Sequence, residues 1–145
     1  MRCLGTTGGW MIRLDRGEEI LAELRAFVRS ERIGGATLSG LGAVDAITVA
    51  FYDVAARAYR NQSRSGVIEI LNLTGNVAWA GGDPAVHVHV AAAHETEGAF
   101  GGHLVSGRVS ATVEIRLDVL EGGLRRAFED AVGLPLLDLP PRRRD

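Results

Sequence analysis

The chain predicts an α+β domain: a largely antiparallel sheet with one principal helix, about residues 17–33, packed on it. Three observations lead there. One stretch carries apolar residues at helical spacing, several later stretches alternate with period two, and glycine pairs or prolines stand between them. At 145 residues, 46% apolar and 23% charged, the chain has the length and composition of a single globular domain. The formal net charge of -2 supplies no pull toward nucleic acid or an acidic membrane surface. No apolar run reaches the roughly 18 residues that a membrane span requires.

Residues 1–9 are polar and glycine-rich, and are expected to be a loose amino terminus rather than a signal peptide. Trp10 to Leu14 alternates as a first strand. Glu18 and Glu19 then suit the positive end of a helix, and Ile20, Leu21, Leu24, Phe27 and Val28 follow on one helical face. Gly34-Gly35 predicts the helix end near Ile33. Ala36 to Leu41 and Ala46 to Tyr52 read as two strands joined through Gly42–Asp45. A turn at Asp53–Ala56 leads into a polar strand, Arg57 to Arg64. After Gly66 comes a long apolar run, Val67 to Val77, and then the loop Ala80–Pro84. Further strands are expected at Ala85–Ala93, Ala99–Leu104 and Ser110–Leu120, the last with the longest clean alternation. Leu124 to Val132 has the spacing of a short helix. The domain therefore runs over residues 10–132, and 133–145 is a proline- and arginine-rich tail.

All sixteen basic residues are arginine, which excludes a Schiff-base lysine and a phosphate-binding loop that needs lysine. No nucleophile elbow or dinucleotide-binding glycine motif is present. The single cysteine, Cys3, excludes an intrachain disulfide framework and fits a reducing compartment, so a cytoplasmic setting is expected.

The pattern with chemical content is Val86-His87-Val88-His89-Val90, followed by Gly101-Gly102-His103-Leu104. Strand alternation sends His87 and His89 to one face, about 6–7 Å apart along the strand. Imidazoles at that spacing can lean together on one ion, and the glycine pair lets the backbone bring His103 close. Three neutral imidazoles would leave a coordination position open for water or substrate. The same histidines would equally serve as polar residues of a half-exposed strand or a subunit contact. His94 has the opposite parity, sits in a turn, and reads as solvated.

Glu69 stands inside an apolar run, with Val67, Leu71 and Leu73 expected on its face. A carboxylate there needs a cation, a metal or a proton if it is buried. It is a candidate ligand, general acid/base or partner to a ligating histidine, or else an edge residue paired with an arginine such as Arg108. Asn76 follows Gly75 and either orients a ligand or shapes a turn. Arg108 is a candidate for holding an anionic ligand. Trp10 and Trp79 suit a pocket wall or the core. Arg142-Arg143-Arg144 is a weak electrostatic footprint, better read as a solvated tail.

Five stretches together resemble the PPC domain (Plants and Prokaryotes Conserved). They are Ser39-Gly40-Leu41-Gly42-Ala43, Phe51-Tyr52-Asp53, Glu69 to Asn76, His87-Val88-His89-Val90 and Gly101-Gly102-His103-Leu104. Their order and spacing cover about residues 10 to 120. The resemblance implies a homotrimer in which the positions of His87, His89 and His103 gather around a divalent metal, usually zinc. It also implies a fold related to acetolactate decarboxylase, a zinc enzyme with three histidines. That keeps a metal-dependent lyase or hydrolase in view, with Glu69 as acid/base. Prokaryotic members of the family often carry a DNA-binding label inherited from plant relatives, whose AT-hook makes the contact through an Arg-Gly-Arg-Pro core. This chain has no such sequence, so nucleic acid is not expected as a partner. A trimeric metal-binding module, which either binds a small molecule such as an anionic ligand or serves as a regulatory unit, is the first expectation, with the metal-dependent enzyme and direct DNA binding as the alternatives.

Overall fold

The computed structural model describes residues 1–142. Its elements are β1 (Arg2–Thr6), β2 (Gly9–Asp15), α1 (Ile20–Ser30), β3 (Ala36–Asp53), β4 (Ala58–Ala80), β5 (Asp83–His94), β6 (Gly98–Val119), β7 (Arg126–Glu129) and β8 (Leu134–Leu137). Strands take up 68% of the chain and helix 8%. The expected α+β class is therefore corrected: this is a mostly antiparallel β domain with one short helix.

The correction has three local causes. Stretches that read as separate strands are continuous. β3, β4 and β6 run for 18, 23 and 22 residues, far beyond the usual length of about 5–6. Such strands must bend. Register shifts between Gly40 and Gly42 and between Val44 and Ala46 provide the bend in β3, where a separating hairpin was expected. Residues 2–6, expected to be loose, pair with β2 from Arg2 opposite Arg13 to Thr6 opposite Gly9. Finally, Leu124–Val132 is not helical. The Leu124 carbonyl accepts from Trp79 N–H at 2.9 Å and the Arg125 carbonyl from Asp138 N–H at 2.9 Å, so backbone bonds to other elements replace helical ones. Phe128, which a helix would have buried, is 66% exposed. Part of the expected tail becomes β8, paired with β7. Arg143 and Arg144 of the tail lie outside the described residues.

The main sheet has the order β1-β2-β6-β3-β4-β5, and β5 also pairs with β6. That last pairing closes β3, β4, β5 and β6 on themselves, so each of the four long strands has neighbours on both sides. α1 lies against β5 and β6. Its cap is Glu19, whose Oε2 accepts from Ala22 N–H at 2.7 Å while Oε1 accepts from Gly107 N–H at 3.0 Å. After Ser30 the chain turns through Arg32 (φ 54°), two residues before the glycine pair. Leu21, Leu24, Phe27 and Val28 join Ile12, Leu14, Val88, Ile115 and Leu117 in one core. Each large aliphatic side chain buried this way contributes on the order of 1.5–3 kcal/mol. Trp10 packs edge-on against Phe27, ring centroids 5.3 Å apart. Behind the histidine strand, this core fixes which way β5 faces.

Candidate metal centre

Val86, Val88 and Val90 are buried, so alternation turns His87 and His89 outward, as their pattern predicts. Two neighbouring strands then complete the group. His103 of β6 sits directly opposite His89, and Asn76 of β4 sits directly opposite His87. Directly opposed residues hold their Cβ atoms about 4.5–5.5 Å apart. Glycine makes the close approach possible on both sides. A Cβ at Gly75 would lie 2.0 Å from the His87 carbonyl oxygen, and one at Gly101 would lie 2.5 Å from the Val90 carbonyl oxygen.

The imidazoles form a triangle, with ring centroids 5.1 Å (His87–His89), 5.0 Å (His87–His103) and 5.5 Å (His89–His103) apart. One ring nitrogen from each lies within 4.8 Å of the others. Nitrogens sharing a tetrahedral zinc are about 3.4 Å apart, given bonds of about 2.0–2.1 Å. Small side-chain rotations close that difference. Nδ1 of His103 is buried with no hydrogen-bond partner, a lone polar atom of the kind an ion at this cluster would account for. Burial, then Arg126, His103 and His89 in that order, push the His87 pKa down to about 4. Burial first, then His89 and Arg126, also lowers that of His103. Both rings are thus neutral near pH 7, the state in which imidazole donates to a metal. The donor set fits zinc.

One residue at this site has no counterpart in the sequence expectations. Arg126 on β7 donates from Nη2 to Asn76 Oδ1 at 2.8 Å and to His87 Nδ1 at 3.1 Å. Its Nη1 donates to the Pro135 carbonyl at 3.0 Å. Tyr59 stacks beside His103 at 5.4 Å between centroids. A pocket of about 350 Å³ opens against His87 and His103, walled by Arg126, Tyr59, Leu134 and Leu136. A larger hollow, about 550 Å³, also touches Arg126 but contains no histidine and is lined by glycine-rich loops. The smaller pocket is the one that touches both His87 and His103.

Other expected site residues fall elsewhere. Glu69 is exposed and opposite Ala93 on the outer face, four residues along β5 from His89, or about 13 Å of strand. Val67 and Leu71 share that outward face, but the register shift between Ile70 and Asn72 turns Leu73 into the core. Arg108 pairs with Asp45 at 2.6 Å, opposite Ala46 on β3. Asn76 does reach the centre, through Arg126. Trp79 is half-buried and donates its indole N–H to the Ile33 carbonyl at 2.8 Å. His94 caps its turn, its Nδ1 accepting from Thr96 and Glu97 N–H, each at 3.2 Å. Nothing in the periodicity around Arg126 points to the site. The signal available was the Gly122-Gly123 pair ahead of it, which argues for a turn and return rather than a helix.

The fold and site together define a closed antiparallel β domain with an open group of three imidazoles. The chain belongs to the Plants and Prokaryotes Conserved (PCC) domain family, whose model matches residues 2–121. It is similar to a "putative DNA-binding protein" from Ralstonia eutropha JMP134, with 29% identity, a TM-score of 0.89, and coverage of 95% of this chain and 96% of that one. A metal-containing protein from Archaeoglobus fulgidus is 32% identical with a TM-score of 0.81, over 89% of this chain and 91% of that one. A plant- and prokaryote-conserved protein from Pyrococcus horikoshii is 30% identical with a TM-score of 0.83, over 91% and 92%. The α-acetolactate decarboxylase of Bacillus subtilis strain 168 shares the fold alone, with a TM-score of 0.57 at 11% identity over 90% of this chain and 60% of that one. No curated protein matches the chain. The family match ends before β7, so Arg126 lies beyond it.

Proposed function

We propose that this chain is a trimeric metal-binding module which holds one zinc ion per chain on His87, His89 and His103 and receives a small, anionic ligand beside it. The observation that carries the reading is the three-imidazole group, with one nitrogen of each within 4.8 Å of the others. An ion bound there would polarise a ligand oxygen or activate water. The chain's own residues orient the ligand: Arg126 faces the cluster, and Asn76 fixes Arg126. Outward Leu41, Val67 and Leu71, exposed by 55%, 57% and 61%, favour an oligomer that covers them. Leu41 and Leu71 lie at the bulged junction of β3 and β4. The single exposed Cys3 agrees with a cytoplasmic setting. No helix among the described residues is long and apolar enough to cross a membrane.

Elemental analysis of protein purified without an affinity tag tests the ion, with about one per chain expected, and light scattering tests the trimer. Metal retained by a His87/His89/His103 triple variant, or a monomer in solution, would remove the corresponding part. A lyase or hydrolase reading with Glu69 as acid/base has less support, since Glu69 is exposed and distant along the strand. DNA binding rests on the name of relatives such as the Ralstonia protein. The net charge of -2 does not add to it.

A further inference from the structure

Arg126 is a half-buried cation without an anion. Its three hydrogen bonds go to neutral acceptors: Asn76 Oδ1, His87 Nδ1 and the Pro135 carbonyl. Its Nε–H is buried and has no partner at all. Arg25 lines the same pocket, and among the described residues no ion pair involves either arginine. No acidic residue lines the pocket. Guanidinium groups taken partly out of water are normally paired with carboxylate or phosphate. Here the protein holds one in place by hydrogen bonds and leaves the charge uncompensated.

The rest of the wall narrows the class of anion. Pro84, Val86, Leu134 and Leu136 are apolar, and Tyr59 adds an aromatic face. A volume of about 350 Å³ suits a small molecule. A fully hydrated inorganic anion would leave those apolar side chains uncovered.

We infer that Arg126, assisted by the more exposed Arg25, recognises the carboxylate of a small ligand whose apolar body lies against the β7–β8 hairpin. This deepens the anionic-ligand part of the reading above and rests on it. The hairpin lies beyond residues 2–121, the part of the chain that the family model matches.

The test is a calorimetric titration of the zinc-loaded full chain with hexanoate, with its neutral isostere hexanamide, and with inorganic phosphate. Hexanoate is expected to bind saturably, at least about tenfold more tightly than either of the others, a difference that one charge-assisted hydrogen bond supplies. Arg126→Met should remove that preference, weakening hexanoate far more than hexanamide, Arg126→Lys should restore part of it, and Arg25→Met should weaken hexanoate by a smaller factor. Equal binding of hexanoate and hexanamide, tighter binding of phosphate, or unchanged hexanoate binding in Arg126→Met would overturn the inference. Thermal melting of each variant confirms that it is folded, and the lysine variant decides the matter should the methionine one not fold. Metal content measured on the same samples separates the two claims. Arginine-dependent hexanoate binding in protein that takes up no zinc would sink the metal centre and keep this inference, whereas zinc uptake without arginine dependence would do the reverse.

Discussion

Arg126 Nη2 lies 3.1 Å from His87 Nδ1, and the guanidinium can only donate. A neutral imidazole has a single in-plane lone pair, so Arg126 and a metal ion compete for the same electrons. If the ion takes Nδ1, it displaces the arginine. If it takes Nε2, the ring proton moves to Nδ1 and faces another N–H. Either way, an ion bound through His87 would break this hydrogen bond and leave Arg126 free to face the pocket. Arg126→Met should therefore tighten zinc binding, by about tenfold if one charged hydrogen bond of about 1.5 kcal/mol is removed. Competition with a chromophoric chelator measures this. An unchanged or weaker affinity would show that the two cations do not compete.

Proton competition has a defined sign at this site. Folding lowers the His87 pKa from 6.5 to about 4, mainly through burial, so the folded chain binds its proton less readily than the unfolded one. Stability of the metal-free protein should then rise with pH between about 4 and 6.5, and fall as the pH is lowered through that window. Urea unfolding at pH 7.5, 5.5 and 4.5 follows it, and His87→Gln should flatten part of the slope. A metal-free protein equally stable at all three values would contradict the burial of His87.

The side chains next to His103 separate support from surface. Leu104 is 1% exposed, whereas Val105 is 41% exposed. Leu104→Ala should cost about 2–5 kcal/mol of stability, while Val105→Ala should stay within about 0.5 kcal/mol. Chemical denaturation of the two variants checks the assignment of faces in β6, and similar losses at both positions would undo it.

The histidine centre was legible because its determinants are local. Alternation in Val86–Val90 sets the face of His87 and His89, and Gly101-Gly102 marks the close approach that seats His103 beside them. The balance of the fold was less legible, because the bends in β3 and β4 occur inside strands. Gly42 and Gly66 look like ends of elements when nothing shows the register shift or the partner strand. Glu69 meets a related limit: alternation groups it with Val67 and Leu71, but two readings stay open in the sequence because the pattern does not say that this face points outward. Arg126 was hidden because Leu124–Val132 has helical spacing, and its strand conformation comes from pairing with β8 and from the backbone bonds of Trp79 and Asp138.

The most direct test of the three-imidazole centre is an equilibrium zinc titration of the metal-stripped full chain beside His89→Ala. His89 is the most exposed of the three, so its removal leaves the core intact. One ion per chain is predicted for the unaltered protein. Structural zinc sites supply about 10–16 kcal/mol over four ligands, so losing one ligand should weaken binding on the order of 100-fold. Equal zinc affinity in the two proteins, or no stoichiometric binding in either, would contradict the account.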